Sequence, residues 1–120
     1  MSESLNEFLQ RLASQSASIQ FDETMAQIAT HYDYQPCRFT NGEGDAMAVN
    51  EAGTNEGSCK IFAFAQLHEL SKEATLALFG AFYRDDVLQH PEASDHANIR
   101  HFMKTGWAGI AFDGNALQAK

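Results

Sequence analysis

The stretch SCKIFAFAQLHEL, residues 58–70, decides the fold of this 120-residue chain. On a helical wheel its apolar side chains fall on nearly every side: Ile61, Phe62, Ala63, Phe64, Ala65, Leu67 and Leu70. A helix that is apolar all round is buried inside a protein. The sequence therefore predicts that this helix is central and that its side chains form the core.

Two amphipathic helices are predicted before this central helix. Ser4 and Glu7 fit a capping box, which satisfies free amides at a helix start, and an apolar stripe follows at helical spacing. Asp22 is predicted to cap the second helix, whose apolar stripe is Met25, Ile28, Ala29 and Tyr32. Both helices are predicted to turn an apolar face to the core.

Short strands are predicted on either side of the glycine-rich turn GEGD, residues 42–45. CRFTN, residues 37–41, and AMAVNE, residues 46–51, would form a hairpin, and GIAF, residues 109–112, would add a third strand. These segments predict a small antiparallel sheet of two or three strands.

Two further helices are predicted after the central one. Ser71 would cap a helix that ends at Pro91, and Ser94 or Asp95 would cap a last helix that ends at Gly106. The resulting fold class is α+β, a mainly helical single domain with about five helices and a small antiparallel sheet.

The composition limits the classes of partner. Sixteen Asp and Glu against eight Lys and Arg give a net charge of −8, which repels nucleic acids and anionic membrane surfaces. No secretory signal-peptide pattern and no apolar run of about 20 residues is found. Cys37 and Cys59 are expected to be reduced thiols, although a disulfide between them remains open.

The chain resembles the HopJ family, labelled type III effector after members from bacterial plant pathogens, over about residues 19–115. The resemblance is carried by FDETMAQIATHYDYQP (21–36), NEAGTNEGSCKIFAFAQLHEL (50–70) and LALFGAFYRDDVLQHPEASDHANIRHFMKTGWAGIAF (76–112). It implies a bacterial protein that is delivered into a host cell by type III secretion, and it implies no catalytic residues. Residues 1–120 would be one HopJ-like domain, with residues 1–20 as an N-terminal helix or a secretion segment. A resident protein of the bacterial cytoplasm is the alternative.

A polar block, VNEAGTNEG, residues 49–57, contains more amide and carboxylate groups than a connector needs. If it packs beside YRDDVLQHPEASDH, residues 83–96, the two segments form one polar cleft. The predicted ligand-binding residues are Asn50, Glu51, Asn55, Glu56, Arg84, Asp85, His90 and His96. The expected role is binding of a protein partner or a small polar ligand. The alternative is structural: the two asparagines satisfy turn amides and the arginine pairs with a neighbouring acid.

Cys59 is the candidate for catalysis, because it lies near the start of the central helix, where free amides favour a thiolate. GSCKIFAF, residues 57–64, is similar to the segment around the nucleophile of papain-like cysteine peptidases. In that hypothesis His96 is the general base and Asn98 or Asp95 orients it. The alternative, which we favour, places the Cys59 thiol in the core.

A metal site is a further hypothesis from the sequence. His90, Glu92, Asp95 and His96 fall within seven residues, and Glu51 and Glu56 would be able to approach them. Nitrogen and carboxylate ligands suit zinc or another divalent ion. Solvated histidines and ordinary helix caps explain the pattern more simply, so no metal or other cofactor is expected.

Overall fold

The computed structural model describes residues 4–42, 44, 47–93 and 96–120. The helices are α1 (Leu5–Ser14), α2 (Phe21–His31), α3 (Glu56–Leu67), α4 (Lys72–Ala77) and α5 (Ala97–Thr105), with a π-helix at Phe82–Val87 and 3-10 turns at Ser16–Ser18 and Gly106–Gly109. The strands are β1 (Tyr32–Tyr34), β2 (Phe39–Asn41), β3 (Ala48–Asn50), β4 (Ile110–Phe112) and β5 (Leu117–Ala119). The architecture is α+β, as the sequence predicts, with two small antiparallel sheets where the sequence predicts one.

Helix α3 is the core element that its sequence predicts. Ile61, Phe62 and Phe64 are completely buried, and Phe62 contacts the rings of Phe39 and Phe102 from two other elements. The predicted helix, residues 58–70, is displaced: the observed one begins at Glu56 and ends at Leu67. It ends early because residue 69 adopts a left-handed conformation, and the amide of residue 70 then bonds back to the carbonyl of residue 65.

The predicted capping box of α1 is confirmed. Ser4 Oγ accepts a hydrogen bond from the amide of Glu7 at 3.1 Å, and Glu7 Oε1 accepts one from the amide of Ser4 at 3.0 Å. Phe8 and Leu12 carry the apolar face into the core. Local sequence chemistry therefore determines where this helix begins and which face it buries.

Helix α2 departs from the prediction at both ends. Its N-cap is Gln20, which forms a capping box with Glu23, and not Asp22. Tyr32, predicted to extend the helical stripe, lies instead in strand β1. Ala29, also placed in that stripe, is exposed. The helix ends early because β1 pairs with β5, a ladder that the sequence analysis did not predict.

The predicted hairpin and its third strand are confirmed. Strand β2 pairs antiparallel with β3 on one side and with β4 on the other, so β2 is central and the order is β3-β2-β4. Residues 43 and 45 of the predicted turn lie outside the described residues. The sheet brings Asn41 and Asn50 onto neighbouring strands beside α5.

The predicted long helix between Ser71 and Pro91 is wrong in one respect, because it is broken at Gly80. Ser71 caps α4 as expected. Gly80 then has φ of 62°, and a Cβ at this position would lie 2.6 Å from the backbone nitrogen of Phe21. The chain resumes as the π-helix, whose wider turn carries Phe82 and Asp86 toward α5.

Helix α5 has the predicted end and an unpredicted beginning. Lys104 lies in its last turn and Gly106 is its C-cap. Its N-cap is His96, whereas the predicted caps Ser94 and Asp95 lie outside the described residues. The start of α5 therefore places a histidine and Asn98 beside the polar end of α3.

Candidate functional site

A cavity of about 580 Å³ opens where α3 and α5 both begin. Its polar lining includes Asn50 from β3, Asn55 and Ser58 from the start of α3, and His96 and Asn98 from the start of α5. Three phenylalanines, Phe21, Phe79 and Phe82, supply an aromatic wall. The volume falls within the range of small-molecule sites, about 300–1,000 Å³.

Four asparagines form one hydrogen-bonded group at this cavity, here called the asparagine cluster: Asn41, Asn50, Asn55 and Asn98. Asn50 and Asn98 form a reciprocal amide pair, with N–H···O distances of 3.1 and 2.9 Å. Asn55 Nδ2 donates to Asn50 Oδ1 at 2.7 Å, and Asn41 Nδ2 donates to Asn98 Oδ1 at 3.1 Å. The side chains of Asn41, Asn50 and Asn98 are 0%, 3% and 7% exposed.

A main-chain carbonyl determines which side-chain atom of each asparagine in the cluster is the amide nitrogen and which is the oxygen. Asn41 Nδ2 lies 2.8 Å from the carbonyl oxygen of Asn98, which can only accept a hydrogen bond, so this atom of Asn41 must be the amide nitrogen. The side-chain atom of Asn98 that faces the same nitrogen must then be its oxygen. The amide orientations of Asn50 and Asn55 follow in turn, because each side-chain oxygen of the cluster that accepts a bond must face a nitrogen that donates it.

The two buried members of the cluster at the cavity, Asn50 and Asn98, have spare donors and fully used acceptors, whereas the exposed Asn55 has an oxygen that accepts no hydrogen bond within the described residues. Asn50 Oδ1 accepts from Asn55 and Asn98, and Asn98 Oδ1 accepts from Asn41 and Asn50. Each amide nitrogen carries two protons, and those of Asn50, Asn55 and Asn98 use one each within the described residues. A spare N–H therefore remains on three side chains that line the cavity.

Both helices also bring uncapped N-termini to the cavity. The N-caps Asn55 and His96 have φ of 49° and 51°, in the left-handed region, and among the described residues neither N-cap side chain bonds to its own helix. The first-turn amides of a helix have no partner inside it. Gly57 and Ser58 of α3, and Ala97, Asn98 and Ile99 of α5, all line the cavity. The site is thus rich in backbone donors as well.

His96 lies between an aromatic ring and a carboxylate. Its Nε2 is 3.1 Å from Asp86 Oδ2, and its ring centroid is 5.2 Å from that of Phe82. Phe82 in turn makes an edge contact with Phe21 at 4.9 Å. The π-helix supplies both Phe82 and Asp86, in keeping with the frequent occurrence of such wide turns at functional sites.

Of the eight predicted ligand-binding residues, the structure brings Asn50, Asn55 and His96 together at the cavity. The other five lie outside its lining. Arg84 donates to the carbonyls of Ser16 and Ile19, which fastens the π-helix to the α1–α2 connection. Glu51 pairs with Arg38 at 3.6 Å. Exposed side chains are found at Glu51, Glu56, Asp85 and His90.

Sequence reasoning missed two residues of the site and misjudged a third. The sequence predicts only a strand at Asn41, and it indicates Asp85 as a ligand-binding residue but not its neighbour Asp86. Asn98 was considered only as an orienter for catalysis, whereas it is the central member of the asparagine cluster. No local pattern marks Asn98, because Asn6 has the same place beside an apolar residue in the first turn of α1 and is exposed.

Cys59 has the surroundings of a core thiol. It is 1% exposed, and its Sγ donates to the carbonyl oxygen of Cys37 at 3.6 Å. Burial, with a smaller effect of the neighbouring Cys37, raises the pKa of the Cys59 thiol above its ordinary value of 9.0. A nucleophile requires the opposite shift. The groups that interact with Cys59 are Cys37, Tyr34 and Glu56, and no described histidine is among them, so the geometry gives the hydrolase hypothesis no support.

The described residues contain no group of three or more His, Cys, Asp and Glu side chains placed to hold a metal ion. The carboxylates considered as ligands, Glu51 and Glu56, are exposed, and Asp95 lies outside the described residues. Nor does this part of the chain contain a helix that is long and apolar enough to cross a membrane.

Comparisons with known proteins agree with the fold. The family model described as HopJ type III effector protein matches residues 5–117. A crystal structure of the unknown-function protein VPA0580 is 56% identical in sequence and superposes with a TM-score of 0.94, covering 100% of this chain and 97% of that one. No curated protein matches the chain.

Proposed function

This chain belongs to the HopJ type III effector family, and from that premise we propose that it is an effector whose folded domain binds a small polar ligand in the cavity between α3 and α5. The observation that carries the proposal is the imbalance of the asparagine cluster. The oxygens of its two buried members at the cavity, Asn50 and Asn98, each accept two hydrogen bonds, while one N–H remains on each of these side chains. Buried polar groups are normally paired, so spare donors at a cavity call for a ligand with acceptors.

The shape of the site supports a small ligand rather than a flat protein surface. The donors lie at one end of a cavity of about 580 Å³, and phenylalanine side chains line another part of it. Concave sites with an apolar lining and a few convergent polar groups are the usual form of small-molecule sites. A protein partner would instead be expected to cover a broader patch.

A plugged variant tests the proposal. Ala97 is exposed and begins α5, so Ala97→Trp fills the cavity mouth without disturbing the core. Ala26→Trp is the matched control, because Ala26 is an exposed alanine on α2 that does not line the cavity. A library of small polar compounds is screened against the wild-type chain by ligand-observed NMR, and each variant is checked for folding by circular dichroism.

We expect hits whose binding is lost in Ala97→Trp and kept in Ala26→Trp. If every hit binds the plugged variant as well as the wild type, the cavity is not the binding site and the proposal fails.

Delivery into a host cell is the second part of the proposal. Residues 1–20 are not simply a separable tail, because Phe8, Leu12 and Ile19 are buried in the core. Deleting them would unfold the domain and confuse export with stability. The sharper test fuses residues 1–20 to a folded reporter and compares its delivery with that of the full-length chain fused to the same reporter. Delivery of the full-length fusion supports an effector, and retention of both fusions supports a resident cytoplasmic protein.

A further inference from the structure

We infer that the ligand is a monocarboxylate that carries an aromatic or similarly apolar group, with its carboxylate at the asparagine cluster and its apolar part against Phe82. This inference rests on the proposed function and names the chemical class of the ligand. Three properties of the cavity lead to it: its donors, its charge and its exposed apolar lining.

The donors favour an anion over a neutral acceptor. Two helices of twelve and nine residues begin at the cavity, and their free first-turn amides lie at the positive end of each helix dipole. The spare N–H groups of Asn50 and Asn98 supply a second and independent set of donors, on side chains that are more than nine-tenths buried. Hydrogen bonds to an ionised oxygen are about twice as strong as those between neutral groups.

The charge of the lining favours a single negative charge. The chain has sixteen Asp and Glu residues, yet among the described residues none of them lines the cavity. No Lys or Arg of this part of the chain lines it either, and the one titratable lining residue, His96, already pairs with Asp86. A phosphate dianion would therefore lack the cation that usually accompanies it. A carboxylate needs only donors.

Part of the exposed lining of the cavity is apolar. Phe82 and Val49 remain 39% and 47% exposed although both are large hydrophobic side chains, and both line the cavity. The Phe82 ring is already held by Phe21 and His96, so it presents a fixed face. Aromatic rings bind well to such a face in offset or edge geometry. A ligand with a ring beyond its carboxylate would cover this exposed apolar surface.

Phenylacetate and its neutral analogue phenylacetamide test the inference, with inorganic phosphate as the competing anion. Affinities are measured by NMR titration against the wild-type chain, Ser58→Asp and Ser58→Asn. Ser58 lines the cavity at the third position of α3, where an aspartate stabilises a helix start, so the charged variant is expected to fold. The asparagine variant has the same size and no charge.

We expect phenylacetate to bind about tenfold or more tightly than phenylacetamide, the factor expected when hydrogen bonds become charge-assisted. Ser58→Asp should bind phenylacetate about tenfold more weakly than Ser58→Asn does, because the two side chains have the same size and only the aspartate places a like charge in the cavity. Phosphate should bind more weakly than phenylacetate.

The outcomes separate this inference from the proposed function. Equal affinity for the amide and the carboxylate, or tighter binding of phosphate, would overturn the carboxylate inference. Equal affinity of phenylacetate for Ser58→Asp and Ser58→Asn would also overturn it. In each case the proposed function still stands if other small ligands bind the wild type and are lost in Ala97→Trp. If no ligand responds to Ala97→Trp, both fail.

Discussion

The substitution Asn98→Ala tests whether the asparagine cluster is a stabilising part of the fold. It removes three side-chain hydrogen bonds: one from Asn41 at 3.1 Å, and two shared with Asn50 at 3.1 and 2.9 Å. Two of the groups involved keep another partner. Asn41 Nδ2 still donates to the main-chain carbonyl of residue 98, and Asn50 Oδ1 still accepts from Asn55.

The expected loss of stability follows from these bonds. A hydrogen bond contributes about 1 kcal/mol net, so three give about 3 kcal/mol. Alanine favours the helix over asparagine by about half a kcal/mol, which offsets part of the loss. Water entering from the cavity satisfies some of the exposed donors. We therefore expect the free energy of unfolding to fall by about 2–3 kcal/mol, which corresponds to a fall in Tm of about 10 °C.

Asn6→Ala is the matched control. Asn6 occupies the second position of α1 as Asn98 does that of α5, but its side chain is exposed. Urea denaturation followed by circular dichroism measures both variants, and the control should change the free energy of unfolding by less than about 0.5 kcal/mol. If Asn98→Ala costs no more than Asn6→Ala, the hydrogen bonds of Asn98 make no net contribution to stability and the cluster is not a stabilising part of the fold.

Three further predictions concern the helix break at Gly80, the ion pair of Arg11 with Glu23, and the buried thiol of Cys59. In urea denaturation, Gly80→Ala should lower the free energy of unfolding by about 2–4 kcal/mol, and the control Gly44→Ala by only about 1 kcal/mol. Both glycines have φ near 60°, but of the two only Gly80 has described backbone atoms within contact distance of an added Cβ. The Arg11 guanidinium holds the pKa of Glu23 below its ordinary value of 4.5, so this carboxylate stabilises the fold above that pH and loses its effect as the pH falls through its folded-state pKa. The stability difference between wild type and Glu23→Gln should accordingly shrink in acid; a constant difference from pH 7 to pH 3 would contradict the pairing. Burial raises the pKa of Cys59, so its reaction with a thiol reagent at pH 8 should be slow in the native protein and fast in urea, and a fast native reaction would revive the nucleophile hypothesis.

Most features predicted correctly from the sequence have local causes, and strand β4, which pairs with the distant strand β2, is an exception. The capping box of Ser4 and Glu7 needs only neighbouring residues, and the all-round apolar pattern of α3 requires burial whatever surrounds it. The pairing of β1 with β5 has no such local signal, because its strands are three residues long and come from distant parts of the chain. Short strands of this kind form where the tertiary structure brings them together.

Two residues of the candidate site were predicted because their signal is also local. Polarity in a glycine-rich block indicated Asn50 and Asn55. Asp85 is exposed, whereas its neighbour Asp86 contacts His96, because this segment is a π-helix whose wider turn sets which side chain faces α5. Asn41 gave no signal, since a polar residue at the end of a short strand is ordinarily exposed.

Part of the proposed preference of the cavity for acceptors comes from the backbone, which side-chain substitution does not remove. The main-chain carbonyl of Asn98 sets the direction of the first hydrogen bond in the asparagine cluster, and no substitution removes that carbonyl. Backbone amides at the starts of α3 and α5 add donors that substitution cannot remove either, except by proline. Side-chain changes at Ser58 or at Phe82 can therefore alter the charge and shape of the ligand that fits.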